Sequence, residues 1–220
     1  MIRRALPLLA LLGTALSAGG LGAHPHVFVD TGLTLHLDDE ARIEAVDVTW
    51  AYDEFYSLLV LQDMGLDPDA DGVLTPDELR QVEGWDMKWV EGYEGDLYLE
   101  GPQDGAVALG PPVPLETRVV EGRLISVHRR PVEPAADAAT AVLQAYDPEF
   151  YTAYDLTLGV RIAGDAANPL CTVNIDKPDE NEAYREARDV MKDFPEDAVG
   201  VPLLGHVFAE TVTLTCQPAG

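Results

Sequence analysis

Apolar and polar residues alternate near both ends of the chain, and this alternation predicts β-strands. Two alternating segments, 26–37 and 41–51, lie on either side of an acidic turn at 38–40, which indicates a β-hairpin. The same pattern predicts seven further strands, at 96–100, 115–120, 123–130, 138–146, 154–162, 170–175 and 206–216. The sequence therefore favours a strand-rich protein.

A helical period replaces the alternation in the middle of the chain. Phe55, Leu58 and Leu59 fall on one face of a helix that begins near residue 53. The pair Thr75-Pro76 provides an N-cap and a first-turn residue for a second helix, which is expected to run to about residue 93. These two helices form an insertion between predicted strands.

A third helix, which is polar, is predicted at 179–194, near the C-terminus. No low-complexity linker divides the chain, so residues 24–220 are expected to form a single domain. The expected fold is α+β: a strand-rich, sandwich-like domain with a helix–loop–helix insertion at about 53–93.

The twelve residues 67–78 between the two inserted helices match the loop of a calcium-binding EF-hand. Gly72 stands at the sixth position, where the chain must turn sharply, and Leu74 supplies the apolar residue in the middle of the loop. The expected calcium ligands are Asp67, Asp69, Asp71, the carbonyl of Val73, Thr75 through a water molecule, and both carboxylate oxygens of Glu78. The alternative interpretation is an acidic surface turn. No second EF-hand loop occurs in the sequence, so a structural role is favoured over a regulatory one.

The N-terminus has the features of a secretory signal peptide. Arg3 and Arg4 give it a basic start, an apolar run follows from Ala5 to Leu16, and small residues continue to Ala23. The run is shorter than the ~20 apolar residues of a transmembrane helix, and no later segment is apolar enough. Cleavage after Ala23 is expected to release a periplasmic protein that does not span the membrane.

Two cysteines, Cys171 and Cys216, are present. An even number of cysteines in an exported protein favours a disulfide bond. Such a bond would tie the last predicted strand to the rest of the domain, although the sequence leaves the geometry of the pair open.

The formal net charge of the 220-residue chain is −25, and its isoelectric point is about 4.2. Loss of Arg3 and Arg4 with the signal peptide changes the charge to −27, since that segment carries no acidic residue. A field of this sign repels nucleic acids and anionic membrane surfaces, and it concentrates cations. Nucleic-acid binding is therefore not expected, while solubility in a salty environment explains the acidity equally well.

The predicted mature chain begins with His24-Pro25-His26, which carries nitrogen ligands for a transition metal. The α-amino group and imidazole of His24 can chelate one ion, and His26 lies on the same face of an extended strand. Nitrogen ligands suit zinc, nickel, cobalt or copper better than calcium. Pro25 has no amide proton, so the square-planar copper or nickel site that uses deprotonated backbone amides is excluded.

At least one further ligand must come from elsewhere in the chain. His128, which follows an apolar strand, is the preferred candidate, and His206 is a weaker one. His36 lies about 33 Å from the N-terminal pair along a straight strand, so the two cannot share an ion unless the strand bends. Asp53 and Asp147 occur in aromatic-rich segments, where packing and turn formation are favoured and oxygen ligation is the alternative. The competing interpretation is a histidine-bearing tail with hydrogen-bonded histidines on strands.

Four segments occur in an order that resembles one known family. They are the signal peptide followed by the motif at 24–30, the aromatic stretch at 50–57, the EF-hand loop and the segment at 146–151. Over most of the mature chain the sequence resembles the DUF1007 family, exported bacterial proteins described as periplasmic components of uncharacterised transport systems. The resemblance implies an inner-membrane permease of the nickel/cobalt type as partner, a role in zinc acquisition, and His24 and His26 as metal ligands. It implies no settled catalytic activity.

The leading functional hypothesis is a periplasmic accessory protein that binds zinc or nickel/cobalt and hands the ion to an inner-membrane permease. Its metal ligands would be His24, His26 and a third group such as His128. A calcium-stabilised interaction module without a transition metal is the second hypothesis. A copper enzyme with an N-terminal histidine is the third, and it is least favoured because no His-Glu-x-x-His pair or Gly-x-Ser-x-Gly motif occurs. The protein is therefore not expected to be an enzyme.

Overall fold

The computed structural model describes residues 25–69, 71–102, 105–164, 171–195 and 202–217. The predicted signal peptide and His24 lie outside these residues. Within the described part, ten strands form two five-stranded sheets, accompanied by three α-helices. This confirms the prediction of a strand-rich α+β fold.

The strands are, in chain order, β1 (Val27–Leu37), β2 (Arg42–Tyr52), β3 (Leu97–Gly101), β4 (Gly105–Ala106), β5 (Val113–Val120), β6 (Arg123–Asp137), β7 (Val142–Ala145), β8 (Thr152–Ile162), β9 (Cys171–Asp176) and β10 (Thr211–Cys216). The helices are α1 (Glu54–Met64), α2 (Pro76–Val82) and α3 (Glu180–Asp193), with 3-10 turns at Trp85–Met87 and Gly205–Phe208. No described helix has the length and apolar character needed to cross a membrane.

The two sheets share one hydrophobic core. The first sheet has the strand order β5-β6-β2-β1-β8, and the second has the order β4-β3-β7-β10-β9. β1 and β2 form the predicted hairpin, with Leu33 opposite Val48. β8 pairs with β1 in parallel and places Asp155 beside Asp30. Because alternate residues of a strand point to the same face, apolar side chains from both sheets can meet in a single core.

The chain crosses from the first sheet to the second between β2 and β3. This crossover, residues 53–96, contains α1, the predicted calcium loop, α2 and the first 3-10 turn. The buried hydroxyl of Ser57 joins α1 to the first sheet by accepting the N–H of Leu124 on β6 at 2.9 Å. Leu61 is also buried, whereas the predicted apolar face of α1 is turned outward and exposed: Phe55, Leu58 and Leu59.

The second inserted helix is shorter than predicted. α2 ends at Val82, because Gly84 adopts a left-handed conformation with a φ of 64° and starts the 3-10 turn Trp85–Met87. The N–H of Gly84 donates to the hydroxyl of Thr117 on β5 at 3.4 Å. The change of direction carries this turn toward β2.

Two predicted strands are also shorter in the structure. Asp137 ends β6 in a turn, where its carboxylate accepts the N–H of Ala139 at 3.0 Å, so the strand predicted at 138–146 shrinks to β7. The strand predicted at 206–216 begins only at Thr211, because the 3-10 turn Gly205–Phe208 uses the preceding residues.

Cys171 and Cys216 form the predicted disulfide bond. The two residues face each other across the antiparallel pair of β9 and β10. They are 45 residues apart in the sequence, so the bond closes a long loop and restricts the unfolded chain.

Replacing both cysteines with alanine is expected to lower the free energy of unfolding by about 3 kcal/mol, because the unfolded chain regains conformational entropy. Denaturant unfolding of the oxidised wild type and of the double variant measures the difference. Reduced wild-type protein is the control, and its midpoint should match that of the variant. Equal midpoints for oxidised and reduced wild type would contradict the prediction.

Candidate functional site

The predicted calcium loop lies on the crossover between α1 and α2. Asp67 begins the loop, and its two carboxylate oxygens accept the N–H groups of Asp71 and Gly72, each at 3.1 Å. The carboxylate of Asp71 accepts the N–H of Val73 at 2.8 Å. These bonds from backbone to side chain hold the loop in a tight curve.

Glu78 closes the loop from the first turn of α2. Its Oε1 accepts the N–H of Asp67 at 3.2 Å, and its Oε2 accepts the N–H and the hydroxyl of Thr75 at 2.8 and 2.7 Å. Thr75 in turn caps α2 by accepting the N–H of Glu78. The hydroxyl bond from Thr75 lowers the pKa of Glu78, so this carboxyl group is ionised at neutral pH.

The first three acidic residues of the loop form one group. Carboxylate oxygens of Asp67, Asp69 and Asp71 lie within 4.8 Å of one another. Calcium prefers converging carboxylate and carbonyl oxygens, and Glu78 lies close enough to the loop to bond to the N–H of Asp67. The described part of the loop, which omits residue 70, therefore has a donor set that suits a hard divalent cation.

The loop also packs on the first sheet. Leu66 and Leu74 are buried in the core cluster. Gly72 has a φ of 75° and faces the turn between β5 and β6, where an added Cβ would lie 3.9 Å from the Cα of Gly122. An ion in the loop would therefore fix α1 and α2 against this sheet.

His26, a predicted transition-metal ligand, lies exposed just before β1. The backbone N–H of His26 donates to the backbone carbonyl of Tyr151 at 2.8 Å, and the centroids of the two side-chain rings lie 4.9 Å apart. The residue lines an open cleft of about 610 Å³, here called the N-terminal cleft, with four acidic residues: Asp30, Asp53, Glu54 and Asp155. Among the described residues, no three metal-binding side chains in this cleft lie within 4.8 Å of one another. A complete metal shell therefore requires movement of these groups or a further ligand, such as His24.

Two acidic residues of the N-terminal cleft, Asp30 and Asp155, are neighbours on β1 and β8. Burial raises the pKa of Asp30, but hydrogen bonds from Thr157 and Arg123 outweigh it, and the net shift is downward. Arg123 lies 2.7 Å from Asp30. Burial raises the pKa of Asp155, and the charges of Glu210 and Asp30 add to this rise. A cation bound beside Asp155 would offset the repulsion that this carboxylate experiences.

Asp53 and Asp147, considered above as oxygen ligands, support the local structure. Asp53 caps α1 by accepting the N–H of Tyr56 at 2.8 Å, and it accepts the N–H of Phe28 at 3.0 Å. Asp147 accepts three backbone N–H groups in the turn before β8. These are the packing and turn roles that the sequence favours.

The structure places His128 apart from His26. His128 lies on β6 opposite Val48, which pairs with Leu33 of β1, about 23 Å along that strand from His26. The side chain of His128 is fully buried, with an exposed fraction of 0%. The described structure therefore does not bring these two predicted ligands together.

Aromatic side chains surround His128. Its ring lies edge-on to those of Trp50 and Trp89, with centroids 4.6 and 5.8 Å away. Neither ring nitrogen has a hydrogen-bond partner among the described residues. Burial, with a smaller effect from the charge of Arg130, lowers the pKa of His128 to about 3. The imidazole is therefore neutral at pH 7.

The remaining two histidines also lie away from the N-terminal cleft. Nε2 of His36 is 2.7 Å from a carboxylate oxygen of Asp47, and Arg129 bonds to both side chains. His206 is exposed on the second 3-10 turn, with its ring 6.1 Å from that of Tyr146. Neither residue lines the cleft.

A second cavity, about 210 Å³ in volume, was not predicted from the sequence. Asp86 and Asp96 line this aromatic cavity, together with six aromatic rings: Trp50, Tyr52, Tyr56, Trp85, Tyr93 and Tyr154. The rings come from β2, α1, the first 3-10 turn, the segment before β3, and β8. No local motif marks such a site, because its members are distant in the sequence and Asp86 belongs to a segment predicted to be an amphipathic helix.

Tyrosine hydroxyls donate hydrogen bonds to both carboxyl groups of the aromatic cavity. Tyr52 donates to Asp86 Oδ2 at 2.9 Å. Tyr93 and Tyr154 both donate to Asp96 Oδ2, each at 2.9 Å. Burial raises the pKa of Asp96 to about 6, and it also raises the pKa of Asp86. The protein therefore keeps two acidic groups in partly apolar surroundings.

Comparison with known proteins agrees with the resemblance seen in the sequence. The family model described as "Protein of unknown function (DUF1007)" matches residues 9–216, which is nearly the whole chain. No curated protein matches the chain. The chain belongs to the DUF1007 family.

Proposed function

We propose that this protein is a periplasmic accessory of divalent-cation transport, which binds zinc or nickel/cobalt in the N-terminal cleft and hands the ion to an inner-membrane permease. The observation that carries the proposal is the position of His26, an exposed imidazole that lines a cleft with four acidic residues. His24 would add a second imidazole and, after cleavage behind Ala23, an α-amino group. Copper suits the same nitrogen ligands.

An open site is suited to metal transfer. A closed site with four protein ligands retains zinc firmly, whereas two histidines and a terminal amine leave positions that a receiving protein can fill. The net charge of −25 raises the local concentration of cations around the cleft. This role requires no catalytic activity of the protein itself.

Calcium has a structural role in the proposal. The predicted loop would bind it through Asp67, Asp69, Asp71, Val73, Thr75 and Glu78. α1 connects the two sites, because its first residues line the N-terminal cleft and its last residues lead into the loop. A filled calcium loop would therefore hold one wall of the cleft in place.

Replacing His24 and His26 together with alanine is expected to weaken zinc and nickel binding at least about tenfold, because two nitrogen ligands are lost. Calorimetric titration of the calcium-loaded mature protein with each metal measures this change. A His206→Ala variant is the matched control, since it removes an exposed histidine outside the cleft.

Unchanged affinity in the double variant would exclude the N-terminal cleft as the metal site. The mass of the exported protein, measured on the same sample, identifies its first residue. A mature chain that begins at His24 has the amine-plus-imidazole chelate, whereas a chain that begins earlier does not.

A second candidate function, a calcium-stabilised interaction module without a transition metal, is favoured by one observation. α1 exposes an apolar strip beside the N-terminal cleft: Phe55, Leu58 and Leu59, with exposed fractions of 69%, 41% and 42%. Exposed apolar surface of this kind suits contact with a partner protein. Under this alternative, calcium raises the melting temperature, while zinc and nickel have no effect on it.

A further inference from the structure

We propose that the aromatic cavity binds a small organic cation of the methylated ammonium type. The site is separate from the N-terminal cleft and from the calcium loop, since its lining includes neither His26 nor the loop carboxylates. The proposal rests on the charge, the walls and the size of the cavity.

The cavity contains two carboxyl groups without a cationic partner. No Lys or Arg side chain among the described residues forms an ion pair with Asp86 or Asp96, and none contributes to the pKa shift of either group. Asp86 Oδ2 accepts hydrogen bonds from Tyr52 and Ser126, but its Oδ1 is buried and has no partner in the described structure. A bound cation would offset this uncompensated charge.

The walls of the cavity are aromatic. The ring of Tyr52 lies 5.2 Å from that of Trp85 and 5.4 Å from that of Tyr56, and the ring of Trp50 lies 5.7 Å from that of Tyr154. The negative faces of such rings attract weakly hydrated cations, and aromatic cages bind quaternary ammonium groups in this way.

The size and donor set of the cavity favour a small organic ion over a metal ion. Its volume of about 210 Å³ lies below the usual range of drug-sized ligand pockets, roughly 300–1,000 Å³, so a ligand with few heavy atoms fits. A divalent metal ion needs several converging oxygen ligands. Among the described residues, no three metal-binding side chains in this cavity lie within 4.8 Å of one another. One oxygen of each carboxyl group already accepts a hydrogen bond from a tyrosine hydroxyl, which leaves fewer oxygens for a metal ion.

Tetramethylammonium chloride is the probe for this site, and tert-butanol is its neutral counterpart of similar shape. Because Trp50 and Trp85 line the cavity, we expect saturable tetramethylammonium binding to change the tryptophan fluorescence of the calcium-loaded protein at pH 7.5. We expect no saturable response to tert-butanol. This comparison uses the wild-type protein alone and does not depend on a variant that folds.

Asp86→Asn and Asp96→Asn are each expected to weaken tetramethylammonium binding about tenfold, because each substitution removes a negative charge from the cavity. Glu83→Gln, at the exposed end of α2, is the matched control and should bind as the wild type does. Thermal unfolding of each variant shows that it is folded before binding is measured. The His24 and His26 double variant should also bind normally, which separates this site from the proposed transition-metal site.

Three outcomes would overturn the proposal. They are the absence of a saturable response to tetramethylammonium in the wild type, an equal response to tert-butanol, and unchanged affinity in both folded asparagine variants. Displacement of the probe by zinc chloride in the His24 and His26 double variant would also overturn it, since the cavity would then be a metal site.

Discussion

Calcium is expected to raise the melting temperature of the mature protein by roughly 10 °C relative to the same protein in chelator. An ion that binds only the folded state stabilises it by about 4 kcal/mol when its free concentration is a thousandfold above Kd. The physical reason is the converging oxygens of Asp67, Asp69 and Asp71, whose mutual repulsion the ion removes. Thermal unfolding with calcium and with chelator measures the difference.

Asp69→Ala separates ligand loss from structural damage. Asp69 belongs to the acidic group but forms no hydrogen bond to another described residue, whereas Asp67 and Asp71 shape the loop. The variant is expected to lose most of the calcium-induced shift and to melt like the wild type in chelator. Asp77→Asn is the control, because Asp77 lies in the loop but is not a predicted ligand. Equal melting temperatures with and without calcium in the wild type would exclude a calcium site.

The second large expected effect is a loss of stability in acid that depends on His128. Burial lowers the pKa of His128 to about 3, from the ordinary value of 6.5. Below pH 6.5 the unfolded chain takes up a proton that the folded protein does not, so the free energy of unfolding falls. The loss reaches about 1.4 kcal/mol for each pH unit and continues down to the folded pKa.

The His128→Leu variant lacks the imidazole, and with it this part of the pH dependence of the free energy of unfolding. Its free energy of unfolding should fall less steeply than that of the wild type between pH 6.5 and 4.5, measured by denaturant titration at each pH. Protonation of Asp96 has the opposite effect on the free energy of unfolding, because the raised pKa of this group lets the folded protein take up a proton before the unfolded chain does. This effect is the same in the wild type and in the variant. His206→Gln is the control and should follow the wild type, since His206 is exposed.

Parallel pH profiles for the wild type and His128→Leu would contradict the buried, neutral state of His128. Zinc titration of the same variant adds independent information. Unchanged zinc affinity is expected, because His128 lies on the core side of the sheet, about 23 Å along it from His26.

The parts of the fold that were predictable depend on short-range patterns. Alternation along 26–37 and 41–51 determined the β1–β2 hairpin, because the period of a strand fixes which residues face the core. The spacing of Asp67, Asp69 and Asp71 likewise predicted that their carboxylates would meet, since one turn of chain brings them together. The disulfide bond was also predictable, from the even number of cysteines and the predicted export of the chain.

The parts that were not predictable depend on contacts between distant segments. The apolar residues of α1 did not reveal how the helix packs. Phe55, Leu58 and Leu59 are exposed, whereas Leu61 and the buried Ser57, which accepts the N–H of Leu124 on β6, face the first sheet. The early end of α2 depends on the left-handed conformation of Gly84. The aromatic cavity depends on Asp86 and Asp96, and nothing in the sequence indicates that they are enclosed. Tyr52 and Tyr154 reach them from distant strands, and Tyr93 bonds to Asp96 from the same segment.

The crossover links the two proposed cation sites, so calcium can affect ligand binding in the aromatic cavity. Residues 53–96 carry first the proposed calcium ligands and then Trp85, Asp86 and Asp96 of the aromatic cavity. Ions bound at the two places would order the same stretch of chain. If one ion strengthens the binding of the other, thermodynamic linkage makes the effect reciprocal and equal. Calcium loops of extracellular modules bind with a Kd of about 10⁻⁴–10⁻³ M, so a loop of that affinity would fill only where free calcium is comparably concentrated. Under the proposed export, the aromatic cavity would reach its full affinity where the calcium loop is filled.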